Sequence, residues 1–231
     1  MSLVVALDFP DLEPCRKLLQ ELKGLVKFYK IGSELFTAHG WRAVELVHEW
    51  EGKVFLDLKL HDIPTTVART SRVIAQKGIF MFNVHALGGL EMMRQARQAV
   101  DEASKPESKP LLIGVTILTS HDEKTLSKEL GIKHRLQEEV LSLARLAQEA
   151  GLDGVVCSPE ELPLLRKKLG PNFIFVTPGI RMAEADKQDQ KRNMTPRQAK
   201  ENGASYLVVG RPITAAPDPY KATLDILHSL A

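Results

Sequence analysis

Short runs of apolar, β-branched and aromatic residues alternate along this chain with longer segments whose apolar positions recur every three to four residues. The short runs fall at 3–8, 27–31, 53–58, 80–85, 111–117, 153–157, 173–177 and 205–209. Their near-continuous hydrophobicity is that of strands buried on both faces. Between them the spacing predicts helices near 11–23, 33–49, 64–77, 88–104, 134–150, 159–168, 195–202 and 213–230. In 134–150, Leu136, Val140, Leu143 and Ala147 make one apolar stripe. Gly24, Gly78, Gly151, Gly170 and Gly203 follow helices, where a left-handed cap favours glycine. Pro212 lies near the start of the last helix, where a missing N–H does no harm.

Strands that alternate with helices pair in parallel through right-handed crossovers. Eight such units in 231 residues predict an α/β fold closed as a single (β/α)8 TIM barrel, one domain over residues 1–231. No Gly-x-Gly-x-x-Gly follows the first strand, which weighs against an open dinucleotide-binding sheet. The segment 182–195 is polar and nearly free of large aliphatics, so a long loop is expected after the seventh strand. Long loops at that end of a barrel often act as lids.

Composition narrows the function classes. Apolar residues make up 44% and charged residues 26%, the balance of a globular enzyme. A net charge of +2 gives no reason to expect nucleic acid or a membrane as partner. No apolar run is long enough to span a bilayer. The first residues lack a basic region and a cleavage site and read as a strand rather than a signal peptide, which leads to a cytoplasmic expectation. Cys15 and Cys157 show no metal or redox spacing and read as reduced thiols.

In a barrel the reactive side chains sit at the C-terminal ends of the strands. There the polar residues separate into two groups. Asp8, Lys30, Asp57, Lys59 and Asp62 form a mixed-sign set from strands 1–3. Asp57 and Lys59 are two apart and share a strand face, about 7 Å apart at Cα. Charges within an apolar strand are costly unless they pair. A substrate carboxylate beside Asp57 would be repelled. Its loss as carbon dioxide would leave a carbanion beside Lys59, which stabilises and then protonates it. Arg181, Gly210 and Arg211 form a cationic patch from strands 7–8, the place where barrels often hold phosphate. Gly210 admits close backbone approach, the following helix N-terminus adds partial positive charge, and Arg211 can fork onto phosphate oxygens. Arg181 and Gln190, beside the expected lid, are placed to close over the same group.

Asp57-Leu58-Lys59-Leu60-His61-Asp62-Ile63-Pro64-Thr65-Thr66 closely resembles the D-x-K-x-x-D-I-P-x-T signature of the orotidine 5′-phosphate decarboxylase family. Ala6-Leu7-Asp8, Tyr29-Lys30-Ile31-Gly32, Leu118-Thr119-Ser120, Pro178-Gly179-Ile180-Arg181 and Val209-Gly210-Arg211-Pro212-Ile213 resemble that family's other motifs in its order. The resemblance implies decarboxylation of orotidine 5′-monophosphate to uridine 5′-monophosphate without cofactor or metal. It implies Lys59 as proton donor to C6, Asp57 beside the departing carboxylate, and Asp8 and Lys30 on the ribose hydroxyls. Thr119 would contact the pyrimidine, Pro178 would line the site, and Arg181, Gln190, Gly210 and Arg211 would hold the phosphate. The resemblance also implies a homodimer with shared sites, in which Asp62, of the catalytic set with Lys59, Asp57 and Lys30, and Thr66 reach into the partner's pocket, and it places Ile63 among the substrate-binding residues.

His61 reads as a spacer on the rim and His85 as a packed residue beside the pocket. Trp41 and Trp50 read as packing residues. Without clustered His and acidic ligands no metal site is expected. The competing reading is a magnesium-dependent phosphosugar lyase of the related barrel group. A glutamate on the second strand would favour it, whereas this chain has Lys30 there.

Overall fold

A computed structural model describes residues 1–179 and 194–230. Eight parallel strands close on themselves in sequence order, with β8 paired to β1. They are β1 (Ser2–Ala6), β2 (Phe28–Gly32), β3 (Lys53–Leu60), β4 (Met81–His85), β5 (Leu111–Val115), β6 (Gly154–Val156), β7 (Ile174–Thr177) and β8 (Tyr206–Val209). The expected TIM barrel is therefore present. All five glycines expected to cap helices have positive φ, between 67° and 92°.

Two expected helices are divided. The segment 33–49 becomes α2 (Ser33–His39) and α3 (Trp41–Glu49), after α1 (Leu12–Glu21). Gly40 between them takes φ 55° and ψ −138°, which no helix can continue through. The apolar periodicity runs through that break and hides it. The chain then forms α4 (Pro64–Ala75), α5 (Gly89–Ala103), α6 (Leu136–Glu149), α7 (Leu162–Leu169) and α8 (Pro196–Glu201). The segment 213–230 becomes α9 (Arg211–Thr214) and α10 (Pro219–Ser229), so Pro212 belongs to a helix of one turn. A π-helical turn at Thr125–Glu129 was not expected from the sequence.

Two apolar layers hold the barrel. Outside it, strand residues such as Val5, Ile31, Leu56, Phe82 and Phe175 pack against helix residues such as Leu19, Val47, Met92 and Leu165. Inside it, Val4, Ala6, Phe55, Met81, Ile113, Val176 and Val208 fill the lumen. Phe28, Phe80 and Tyr206 plug the N-terminal end, with the Phe28 and Phe80 rings 4.8 Å apart. Full burial of an aromatic ring contributes about 2 kcal/mol, and these partly buried rings contribute less each. The lumen is closed below and open above, which leaves the C-terminal mouth as the cavity.

Candidate active site

Asp8, Lys30, Asp57 and Lys59 meet on one side of this mouth. The Lys30 Nζ donates to Asp8 Oδ1 at 2.8 Å and lies 3.6 Å from Asp57 Oδ2. Lys59 Nζ donates to Asp57 Oδ1 at 2.7 Å. The order is carboxylate, ammonium, carboxylate, ammonium. Burial opposes the charge on Asp57, but Lys30, Lys59 and hydrogen bonds from Lys59 and Asn83 outweigh it and hold its carboxyl below the usual range. Burial likewise opposes the Lys30 ammonium, and Asp57 and Asp8 outweigh it, so its pKa lies above the ordinary lysine value. Gly32 allows this crowding, because a Cβ there would come within 3.1 Å of Lys30 Nζ.

The geometry of β3 is less regular than simple alternation. Leu56 pairs with Phe82 of β4, and the next pair is Leu60 with Val84. Three residues of β3 (Asp57, Leu58, Lys59) therefore face Asn83 alone. Lys59 takes φ 51°, a left-handed conformation that costs about 1 kcal/mol or more in a non-glycine residue. Bulges of this kind re-aim side chains at functional sites. The meeting of Asp57 and Lys59 thus comes from a bulge as well as from the two-residue strand period.

Lys59, Asp57, Lys30 and Asp8 share one cavity with Thr119, Pro178, Gly179, Gly210 and Arg211. Its floor is apolar, formed by Ala6, Phe55, Val156, Val176 and Val208. The sequence-based site residues are thereby brought together, with exceptions. Asp62, Ile63 and Thr66 do not line this cavity. Asp62 and Thr66 border a shallower hollow behind the β3–α4 turn, and Ile63 is 66% exposed. Among the described residues Asp62 pairs with no cation; its Oδ1 accepts from the Ile63 N–H at 2.7 Å. The expectation that Asp62 joins the charge cluster is corrected for a single chain: the β3–α4 turn carries it outward. Arg181 and Gln190 lie outside the described residues, as does most of the 182–195 loop. The base of that loop is pinned by the Met194 N–H donating to the Gly179 carbonyl at 3.3 Å. Thr195 then caps α8 through its hydroxyl, which accepts from the Gln198 N–H.

The mouth beside β8 also departs from expectation. The helix after Gly210 is α9, four residues long, not a long helix with a large dipole. The Ile213 N–H is taken up by the Gly210 carbonyl, and Pro212 has none to offer. Among the described residues, cationic character there comes from Arg211.

His61 and His85 stack at 5.4 Å, and neither lines the cavity. The His85 Nδ1 accepts from the Leu87 N–H at 3.4 Å. Trp41 packs edge-on against Phe36, as expected of a packing residue. Among the described residues no group of three or more His, Cys, Asp or Glu is placed to hold a metal ion. No helix among them is long and apolar enough to cross a membrane. Asn83, given no role from sequence, contacts both Asp57 and Lys59. Its signal was a lone amide in a fully buried strand.

Residues 1–226 match the family described as orotidine 5′-phosphate decarboxylase / HUMPS. The chain belongs to that family. A protein named orotidine 5′-phosphate decarboxylase from Moorella thermoacetica is 50% identical over 223 residues, covering 96% of this chain and 88% of the relative. Another of that name from Legionella pneumophila is 47% identical, covering 99% of both chains. The crystal structure of orotidine 5′-phosphate decarboxylase from Lactobacillus acidophilus is 40% identical, with TM-score 0.87, covering 99% of this chain and 98% of its own. Membership in the family was thus legible in the order of its motifs.

Proposed function

We propose that this protein converts orotidine 5′-monophosphate to uridine 5′-monophosphate and carbon dioxide, completing de novo UMP synthesis, with Lys59 as proton donor. One observation carries the reading: an unbroken Asp8–Lys30–Asp57–Lys59 charge chain shares a single apolar-floored cavity with Arg211 and Gly210. The two groups of residues are suited to the two ends of a nucleotide. Arg211 and the Gly210 backbone would take the phosphate. Asp8 and Lys30 would take ribose hydroxyls, and Thr119 and Pro178 would border the base. Arg181 and Gln190 would complete the phosphate grip.

The substrate carboxylate would then sit beside Asp57, which is held ionised, over an apolar floor that screens charge weakly. At about 4 Å and an effective dielectric of about 20, each such contact is worth about 4 kcal/mol before desolvation. Breaking the bond from C6 to the carboxylate carbon releases carbon dioxide and leaves the electron pair on C6. The Lys59 ammonium, already aimed into the cavity, stabilises that negative charge and donates its proton to C6. Water later reprotonates the amine. Attraction that grows as charge moves from carboxylate to C6 lowers the barrier, and equal attraction throughout would not. No cofactor or metal ion has a part in this scheme.

Asp62, Ile63 and Thr66 project from the rim beside the site, which supports a homodimer in which they complete the partner's pocket. Lys59→Ala and Asp62→Ala subunits, each inactive alone, should then recover activity when mixed. Verified heterodimers without recovery would argue for self-contained sites. The chemistry suits a cytoplasmic enzyme. The reading as a whole is tested by ultraviolet spectra of orotidine 5′-monophosphate with purified protein, with and without chelator. Loss of the substrate spectrum in both conditions is expected; a chelator-sensitive reaction would favour the magnesium-dependent phosphosugar alternative.

A further inference from the structure

We propose that Asn83 is a positioning residue that holds the reactive turn of β3 in shape. Asn83 is 1% exposed and sits in β4 directly opposite the bulge. Three residues of β3 face this one residue, so the regular ladder has no backbone partner for each of their polar groups. The Asn83 side chain supplies what the ladder lacks. Its Oδ1 accepts the Lys59 backbone N–H at 2.8 Å, and its Nδ2 donates to Asp57 Oδ1 at 2.7 Å. One amide therefore fixes the backbone of the proton donor and the carboxylate that aims it.

Chemistry makes asparagine well suited here. The contact to Lys59 needs an acceptor and the contact to Asp57 needs a donor, and a planar amide offers both at fixed spacing. An aliphatic residue of similar size offers neither. A carboxylate keeps the acceptor but sets a second negative charge against Asp57. Buried polar networks specify one geometry only when each member is satisfied. Without the amide, Lys59 would be free to leave φ 51°, and its Nζ would lose its fixed bearing on C6.

The test rests on the decarboxylase reading for its assay but carries a second readout that does not. In Asn83→Leu, misplacement of the reacting group by about 1 Å should lower kcat about 100-fold. KM and uridine 5′-monophosphate binding should change little, because the nucleotide-holding side is untouched. Active sites are counted by nucleotide titration, so a smaller folded fraction does not imitate the effect. Asn83→Asp separates the two contacts. Its carboxyl faces Asp57 and the Lys59 backbone, with Lys30 beyond Asp57 and His85 next but one along β4. When protonated it regains both an acceptor and a donor. The ratio of Asn83→Asp to wild-type kcat should therefore rise as pH falls. Amide hydrogen exchange at Lys59 reads the bulge itself: slow in wild type, slow in Asn83→Asp, fast in Asn83→Leu.

Wild-type kcat in Asn83→Leu, a pH-independent ratio in Asn83→Asp, or rapid exchange of the Lys59 amide in wild type would each overturn the inference. If Asn83→Leu does not fold, the Asn83→Asp ratio decides. If wild type leaves orotidine 5′-monophosphate unchanged, the functional reading fails, and the exchange pattern still tests the role of Asn83.

Discussion

Two ion-pair systems lie at opposite ends of this barrel, and they use similar residues for different ends. Near the closed end, Arg97 Nη1 donates to Asp153 Oδ2 at 3.0 Å, and Arg97 also pairs with Asp101 at 2.7 Å. The same Asp153 oxygen accepts the Leu112 N–H at 2.7 Å. Arg97 and Asp153 together tie α5 to the entrance of β5 and β6. At the mouth, Lys59 is held at one point by Asp57, yet its side chain keeps 38% of its exposure and faces a cavity. The Arg97 side chain is enclosed by packed chain, only 10% exposed, and lies outside the mouth cavity. The Lys59 ammonium borders a cavity that can admit a ligand. Proximity of opposite charges alone does not separate the two.

This contrast can be broken from either end. The largest expected loss of stability is at the closed end. Arg97→Met would leave Asp153 without its cation, which should destabilise the fold by about 3 kcal/mol. Turnover per folded site should stay at the wild-type level. Urea unfolding together with active-site counting checks both, and a matching loss of kcat would blur the distinction. At the mouth, Arg211→Ala should weaken nucleotide binding by about 1.5–3 kcal/mol through the lost charged hydrogen bonds, with little effect on the nucleoside. Calorimetric titration of the two ligands compares them, and equal losses would remove Arg211 from the phosphate.

A smaller effect belongs to His85. Burial, then the charges of His61, Lys59 and His121, pushes its imidazole from 6.5 to about 4. As pH falls from 6.5 to about 4, the unfolded chain takes up a proton here that the folded chain refuses. Stability from this residue is thus full above 6.5 and is lost as pH drops through that window. His85→Gln should flatten the fall in denaturation midpoint over the window. Parallel curves for the two proteins would refute the assignment. Asp57, with its lowered pKa, adds a loss only at more acid pH. The smallest effect is expected at Gly32, whose φ of −90° suits alanine. Gly32→Ala should leave stability nearly unchanged and lower kcat/KM a few-fold by nudging Lys30. An unaltered kcat/KM would show that Lys30 tolerates the added methyl group.

The frame was readable from local pattern because each βα unit declares itself locally. Leu136, Val140, Leu143 and Ala147 announce α6, and Gly151 announces its end. The family motifs were readable because their residue types and order are specific. What was hidden depends on pairing between strands. The bulge at 57–59 exists only in relation to β4, so neither it nor the role of Asn83 can be seen in β3 alone. The outward placement of Asp62 depends on the turn into α4, which strand alternation does not describe. Gly40 was hidden for another reason: helical periodicity on both sides of it happens to stay in phase.

The measurement that bears most directly on the account is turnover of orotidine 5′-monophosphate by Lys59→Ala, made beside nucleotide binding by the same sample. The account predicts that the variant binds uridine 5′-monophosphate and leaves the substrate's absorbance unchanged, since the ammonium that answers charge on C6 is gone. Decarboxylation near the wild-type rate in that variant would contradict it.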